Sequence, residues 1–195
     1  GIPVFEGYGM TETSPGISVN DYRNNGFKIG TVGKAMEGIE IKIATDGEIL
    51  VKGPNVMKGY YNDEEATNET VMSDGWLATG DLARINGSGA LEIVGRIKEL
   101  VIKNGFNVYP PEVEAALLKL PEIIQAAVIG QAVPGNERII AFVQTSASKL
   151  DLGWINQQLR STLAGYKLLD EIRVVDQLPA APSGKILKHR LADLL

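Results

Sequence analysis

The 195-residue sequence has no cysteine and one histidine. Without cysteine there are no disulfides, no thiol nucleophile and no thiolate zinc site. A cysteine-free chain is compatible with the cytoplasm, where disulfides are rare. A single histidine, His189, excludes a clustered histidine metal site. A Ser-His-Asp arrangement would need His189 as its base, but its basic C-terminal surroundings read better as a solvated helix. Positive charge is also scarce: 19 Lys and Arg against 24 Asp and Glu leave a net charge of -5. This argues against a nucleic-acid surface, which would rest on a basic patch. No uncharged apolar run reaches the length of a membrane-spanning helix. Gly1 to Glu6 lack the basic start of a signal peptide. They read as a strand entered without a preceding turn, so the expectation is a chain begun within a domain. Any catalysis must run on Lys, Arg, carboxylates, hydroxyls, backbone amides and a bound metal.

Apolar residues make up 44% and charged residues 22% of the sequence, enough for a core in one or two domains. The pattern changes near residue 95. Before it lie short β-like runs. Ile41 to Ile43 and Glu48 to Val51 flank Asp46-Gly47, a strong hairpin signal. Leu82 to Ile85 and Ala90 to Val94 flank Asn86 to Gly89, a second hairpin. Together they predict a small antiparallel β-barrel or curled sheet. After residue 99 the predicted order is a strand at Leu100 to Ile102 and a helix opened by Pro110-Pro111. Strands follow at Ala126 to Ile129 and Ile139 to Val143, then a helix through Leu152, Ile155, Leu159 and Leu163. Ile172 to Val175 reads as a strand and Ile186 to Leu195 as a terminal helix. The expected fold class is therefore α/β and α+β. Residues 1–95 belong to a larger domain, 96–99 form a hinge and 100–195 form a small α+β domain.

Four segments can carry chemistry. In Gly7-Tyr8-Gly9-Met10-Thr11-Glu12, two glycines allow a tight turn with an exposed ring that can lie on a base. Thr11 can bond a phosphate, and Glu12 offers a hard oxygen to Mg²⁺. In Thr79-Gly80-Asp81 the carboxylate can accept both hydroxyls of a ribose, or simply close a turn. Gly95 to Phe106 straddles the boundary, and Arg96 in it has a donor fork suited to hydroxyls or phosphate. In Pro182-Ser183-Gly184-Lys185 the P-loop pattern fails, because Ile186 follows the lysine and Pro179 stands where the first glycine belongs. Lys185 can still neutralise charge developing on a phosphate.

The order of these segments resembles the adenylate-forming superfamily of acyl-CoA synthetases, peptide-synthetase adenylation domains and beetle luciferases. The resemblance rests on Glu6 to Pro15, Asp74 to Asp81, Gly95 to Leu100, Gly105 to Glu114 and Gly184-Lys185. Ser18-Val19-Asn20 and Lys52 to Tyr61 look most like bacterial long-chain fatty-acid–CoA ligases. The resemblance implies ATP, Mg²⁺ and coenzyme A as partners of a carboxylic acid, with AMP as the released nucleotide. Tyr8 would stack on adenine beside Gly9, Thr11 would contact the α-phosphate and Glu12 would hold Mg²⁺. Asp81 and Arg96 would bind the ribose, and Ile93 would line the nucleotide pocket. Lys98 would be the hinge, and Lys185 would bridge carboxylate and α-phosphate. Lys103, Asn104, Gly105 and Phe106 would line the thiol tunnel. Two departures stand out: the family's Ser/Thr/Gly-rich phosphate loop is absent, and Lys98 stands where many CoA ligases have Asp. The expectation is therefore a portion of a cytoplasmic acid–thiol ligase that is inactive alone. A carrier-protein-loading ligase and a non-catalytic nucleotide-binding module remain as alternatives.

Overall fold

The computed structural model describes residues 4–21, 27–147 and 149–195. The chain divides into two compact units, Gly1–Ile97 and Lys98–Leu195. The first three residues of the strand expected at Gly1 to Glu6 lie outside the described residues. The rest, Val4 to Glu6, is irregular, and the first strand starts at Gly7.

In the N-terminal unit, β1 (Gly7–Gly9), β2 (Gly16–Val19) and β3 (Lys34–Ala35) pair antiparallel. A second antiparallel sheet runs in the order β4 (Glu40–Ile43), β5 (Glu48–Lys52), β6 (Leu77–Ile85) and β7 (Leu91–Arg96). Both expected hairpins form. Gly47 takes φ 93° at the first turn. At the second, Asn86 Oδ1 accepts from the amides of Ser88 and Ala90, and Gly89 sits at φ 79°. Among the described residues the second sheet is not a closed barrel, because β4 and β7 are its edges. The outer edge of β7 is instead occupied by Val32 and Gly33, each bonded to Leu91 at 2.8 Å. One core ties the two sheets together: Ile17 from β2, Ile49 and Val51 from β5, Ala83 from β6 and Leu91 from β7. A short helix, α1 (Glu64–Thr70), is capped by Asp63 accepting from the Ala66 amide and buries no residue. With no apolar stripe it left no periodic signal in the sequence.

The C-terminal unit opens with a hairpin, β8 (Val101–Lys103) and β9 (Phe106–Val108). Helix α2 (Pro110–Leu117) starts on two prolines, where a missing amide hydrogen costs nothing. Then come β10 (Ile123–Val133), β11 (Asn136–Thr145), α3 (Leu152–Leu159) and β12 (Glu171–Val174). The sheet order is β10-β11-β12, antiparallel and then parallel. Beyond an irregularity between Ile123 and Gln125, residues of β10 and β11 alternate between its faces. Ala126, Val128, Ile139, Ala141 and Val143 pack with the residues of α2 and α3. Ala127, Ile140 and Phe142 face Leu178 and Leu191, with Ile186 against them. Each large side chain buried this way contributes roughly 1.5–3 kcal/mol.

That second face explains a correction. The expected terminal helix over Ile186 to Leu195 does not form. Ile186 bridges Ala180 in extended conformation, the Leu187 amide bonds the Pro179 carbonyl, and only single 3-10 turns follow at Lys188–Arg190 and Ala192–Leu194. Ile186 and Leu191 are five apart, which does not put them on one helix face. A segment this short is not helical on its own, so burial against the sheet decides its shape.

Candidate functional site

Tyr8 is held where β1 and β2 approach so closely that a side chain at Gly9 is excluded: its Cβ would lie 1.5 Å from the Pro15 carbonyl oxygen. From there the Tyr8 hydroxyl donates to Asp81 Oδ2 at 2.7 Å. Asp81 lies on β6 directly opposite Arg96 of β7, and Arg96 Nε reaches Asp81 Oδ1 at 2.9 Å. Each carboxylate oxygen thus has one protein partner. Asp81 is only 6% exposed, whereas the Arg96 side chain is 55% exposed and keeps donors free for a ligand. Burial pushes the Tyr8 phenol far above its usual range; a hydrogen bond from Thr79 opposes it, and the bond to Asp81 and that residue's charge add to it. Ile93 of β7 packs on the same core cluster as Tyr8.

The turn carrying Asp81 is fixed from two sides. Thr79 Oγ1 donates to the Ile49 carbonyl and accepts from the Asp81 amide. Glu48 accepts from the Gly80 amide at 2.7 Å, and Gly80 takes φ 72°. Sequence reasoning missed the role of Glu48, because nothing marks it until β5 and β6 are in register.

Thr11 and Glu12 lie on a single 3-10 turn after β1. The buried Thr13 hydroxyl bonds Met10 and Pro15 and holds that turn. Thr11 is exposed. Glu12 Oε1 accepts from the Tyr60 hydroxyl at 2.8 Å, and this bond raises the Tyr60 phenol above its ordinary value. Tyr60 falls in the run Lys52 to Tyr61, and nothing local in the sequence marks its bond to Glu12. Among the described residues no three His, Cys, Asp or Glu side chains converge. Glu12 therefore offers one remaining carboxylate oxygen. Such a donor set fits Mg²⁺ arriving with phosphates, since that ion keeps its waters and takes few protein ligands.

The remaining expected site residues lie in the C-terminal unit. Lys98 is exposed on the 3-10 turn Ile97–Glu99. Asn104 and Gly105, at φ 52° and 79°, form the two-residue turn between β8 and β9. Phe106 is half exposed and stacks on Tyr166 at 4.7 Å. Lys103 is not free: its Nζ lies 2.7 Å from Asp170 and 2.9 Å from the Leu168 carbonyl. Lys185 is the opposite. It follows Gly184 (φ 83°) on a turn closed by its own carbonyl and the Ala181 amide. Its side chain is exposed and bonds no group among the described residues.

Comparison with known proteins finds AMP-binding enzymes along most of the chain. The AMP-binding enzyme model matches residues 1–61, and the model of the AMP-binding enzyme C-terminal domain matches residues 112–185. Feruloyl-CoA synthase of Amycolatopsis sp is 40% identical over 96% of this chain and 40% of its own length. Long-chain-fatty-acid–CoA ligase of Haemophilus influenzae is 39% identical over 99% of this chain and 36% of its own. The solved o-succinylbenzoate coenzyme A synthetase of Bacillus subtilis, in complex with ATP and magnesium ion, superposes with a TM-score of 0.86 at 37% identity. That match covers 98% of this chain and 42% of the other. The chain belongs to the AMP-binding, adenylate-forming enzyme family. It spans about two fifths of the length of the curated relatives it matches. These relatives are named for quite different acids, so the sequence-based narrowing to long-chain fatty acids does not carry over from them.

Proposed function

We propose that the whole protein is an AMP-forming acid–CoA ligase and that this chain supplies its adenosine contacts and its exchangeable lysine and thiol-side loop. The observation that carries this reading is the Tyr8, Asp81 and Arg96 cluster. A carboxylate has about four acceptor positions, so Asp81 can take two ribose hydroxyls while keeping its protein partners. The Tyr8 ring then offers a face to adenine, with Gly9 keeping the backbone close and Ile93 closing the apolar side. Thr11, exposed on its turn, bonds the α-phosphate, and Glu12 with its free oxygen holds Mg²⁺. That ion, when bound, offsets charge on the phosphates.

The acid oxygen attacks the α-phosphorus and the bond to the β-phosphate oxygen breaks, giving acyl-adenylate and pyrophosphate. Lys185, unpaired on its turn, donates to the oxygens where negative charge accumulates. In the second step the CoA sulfur attacks the acyl carbon and AMP leaves. The 103–106 turn lines the path of that thiol, and Lys98, the first residue of the C-terminal unit, is the hinge. We infer a fatty acid as substrate from Glu6 to Pro15 and Lys52 to Tyr61. A shallow apolar hollow by Pro15, Gly16, Val19 and Met36 can take part of its chain. The proposed compartment is the cytoplasm; no described helix is long and apolar enough to cross a membrane.

Acid-dependent exchange of pyrophosphate into ATP by the full-length protein, over a panel of aliphatic and aromatic acids, tests the reading. No exchange with any acid refutes it, and preference for an aromatic acid refutes only the fatty-acid part. Thioester formation on a carrier protein but not on CoA favours a carrier-loading ligase. The 195-residue chain alone is expected to give no turnover.

A further inference from the structure

The thiol-side turn is held by residues outside its own hairpin. A two-stranded hairpin is only marginally stable by itself, and β8–β9 makes no ladder with another strand among the described residues. Its position must come from side chains. At its base, Lys103 is tethered to Asp170 and Leu168, and the same Asp170 oxygen accepts from the Ile139 amide at 2.7 Å. At its tip, Asn136 makes a reciprocal pair with Asn104. Asn136 Oδ1 accepts from the Asn104 amide at 2.7 Å, and Asn136 Nδ2 donates to Asn104 Oδ1 at 2.8 Å. Next to it Glu137 accepts from the Ile102 amide. Asn136 and Glu137 open β11, directly after the Pro134-Gly135 turn, where Gly135 sits at φ 72°. Proline ahead of a glycine with positive φ is the residue pair that favours such a turn.

We infer that Asn136 is a positioning residue for the thiol-transfer step: through Asn104 it fixes where the Gly105 tip stands, without touching substrate itself. This rests on the proposed ligase function. Asn104 takes the left-handed conformation, which asparagine accepts more readily than other residues with a side chain. The paired amides supply two hydrogen bonds that select one turn geometry. Asn136 bonds no residue of the adenosine cluster or of the Lys185 turn. Its loss should therefore separate the two half-reactions, which a general loss of folding would not do.

The test uses full-length protein in wild-type, Asn136→Ala and Asn136→Asp forms. Acid-dependent pyrophosphate exchange reports the first step. Single-turnover decay of preformed acyl-adenylate on mixing with CoA reports the second. Asn136→Ala should keep exchange within about twofold, while thiol transfer slows roughly tenfold to a hundredfold, as misplacement of about 1 Å can do. Asn136→Asp keeps the acceptor for the Asn104 amide and should recover most of the rate. Equal loss in both steps, or normal thiol transfer in Asn136→Ala, overturns the inference. If wild-type protein shows neither half-reaction, it is the ligase reading that has failed.

Discussion

The two units hold their polar groups in opposite ways. In the N-terminal unit Tyr8, Asp81 and Arg96 satisfy one another around a carboxylate that is nearly buried. In the C-terminal unit Lys185 has no partner among the described residues and stands on an exposed turn, while another tip, at Gly105, is clasped through Asn136. A preformed cluster suits a ligand part that does not change during reaction, which in the proposed function is the adenosine. Its donors and acceptors are already oriented, so little ordering is left to binding. An unpaired lysine suits a charge that exists only transiently, because it gives up no ion pair in order to act.

The largest effect expected from that contrast is at Lys185. Lys185→Ala in the full-length protein should cut pyrophosphate exchange by about 100- to 1,000-fold, the usual loss for one donor aimed at developing charge. Thiol transfer from preformed acyl-adenylate should fall far less. Equal loss in both steps would show that the lysine is not specific to the first. The melting temperature should not move, since no described contact is lost.

Asp81→Ala is the matching break in the other unit. It strips both the tyrosine hydroxyl and the guanidinium of their partner, and charge-assisted bonds of this kind contribute about 1.5–3 kcal/mol each. AMP affinity by calorimetry should weaken by roughly 10- to 100-fold, and unlike Lys185→Ala the variant should melt earlier. Unchanged AMP affinity would remove the observation on which the functional reading rests.

Tyr8→Phe sharpens the same cluster. It keeps the ring for adenine and removes one hydrogen bond of about 0.5–1.5 kcal/mol. AMP affinity should drop only a few-fold, with Tyr8→Ala much worse. If Phe and Ala behave alike, the hydroxyl on Asp81 matters and stacking does not.

Much of this contrast is legible in the sequence, and the exceptions have physical reasons. The hairpins at Asp46-Gly47 and Asn86 to Gly89 announce themselves, because those turns demand residues that accept positive φ. Asn104-Gly105 carries the same signal, but its flanking strands are only three residues long, too short to show an alternating pattern. Glu48 and Asn136 carry no local signal at all. Each acts on a residue 32 positions away and becomes visible only when strands are placed side by side. The terminal helix failed for a related reason: basic, leucine-containing Ile186 to Leu195 has helical composition, but the uncovered sheet face at Ile140 and Phe142 claims Ile186 and Leu191.

The smallest effect concerns a surface network that resembles the buried one in layout only. Glu171 on β12 bonds Arg173 Nε at 2.6 Å and Arg138 at 3.0 Å, so, like Asp81, it joins two strands through paired oxygens. The Arg173 bond, then the charges of both arginines, hold its carboxyl below the usual range against some desolvation. A carboxyl depressed in the folded state stabilises above its unfolded pKa, and the contribution is lost as pH falls through the lower folded value. Glu171→Gln should therefore melt slightly below wild type at neutral pH. The gap should close on acidification beneath the ordinary carboxylate range and shrink in high salt, because the pair is open to solvent. Asp81→Ala should keep most of its melting deficit in salt, since the Asp81 carboxylate itself is nearly buried. If both deficits vanish together in salt, the distinction between a preorganised cluster and a solvated ion pair does not hold for this protein.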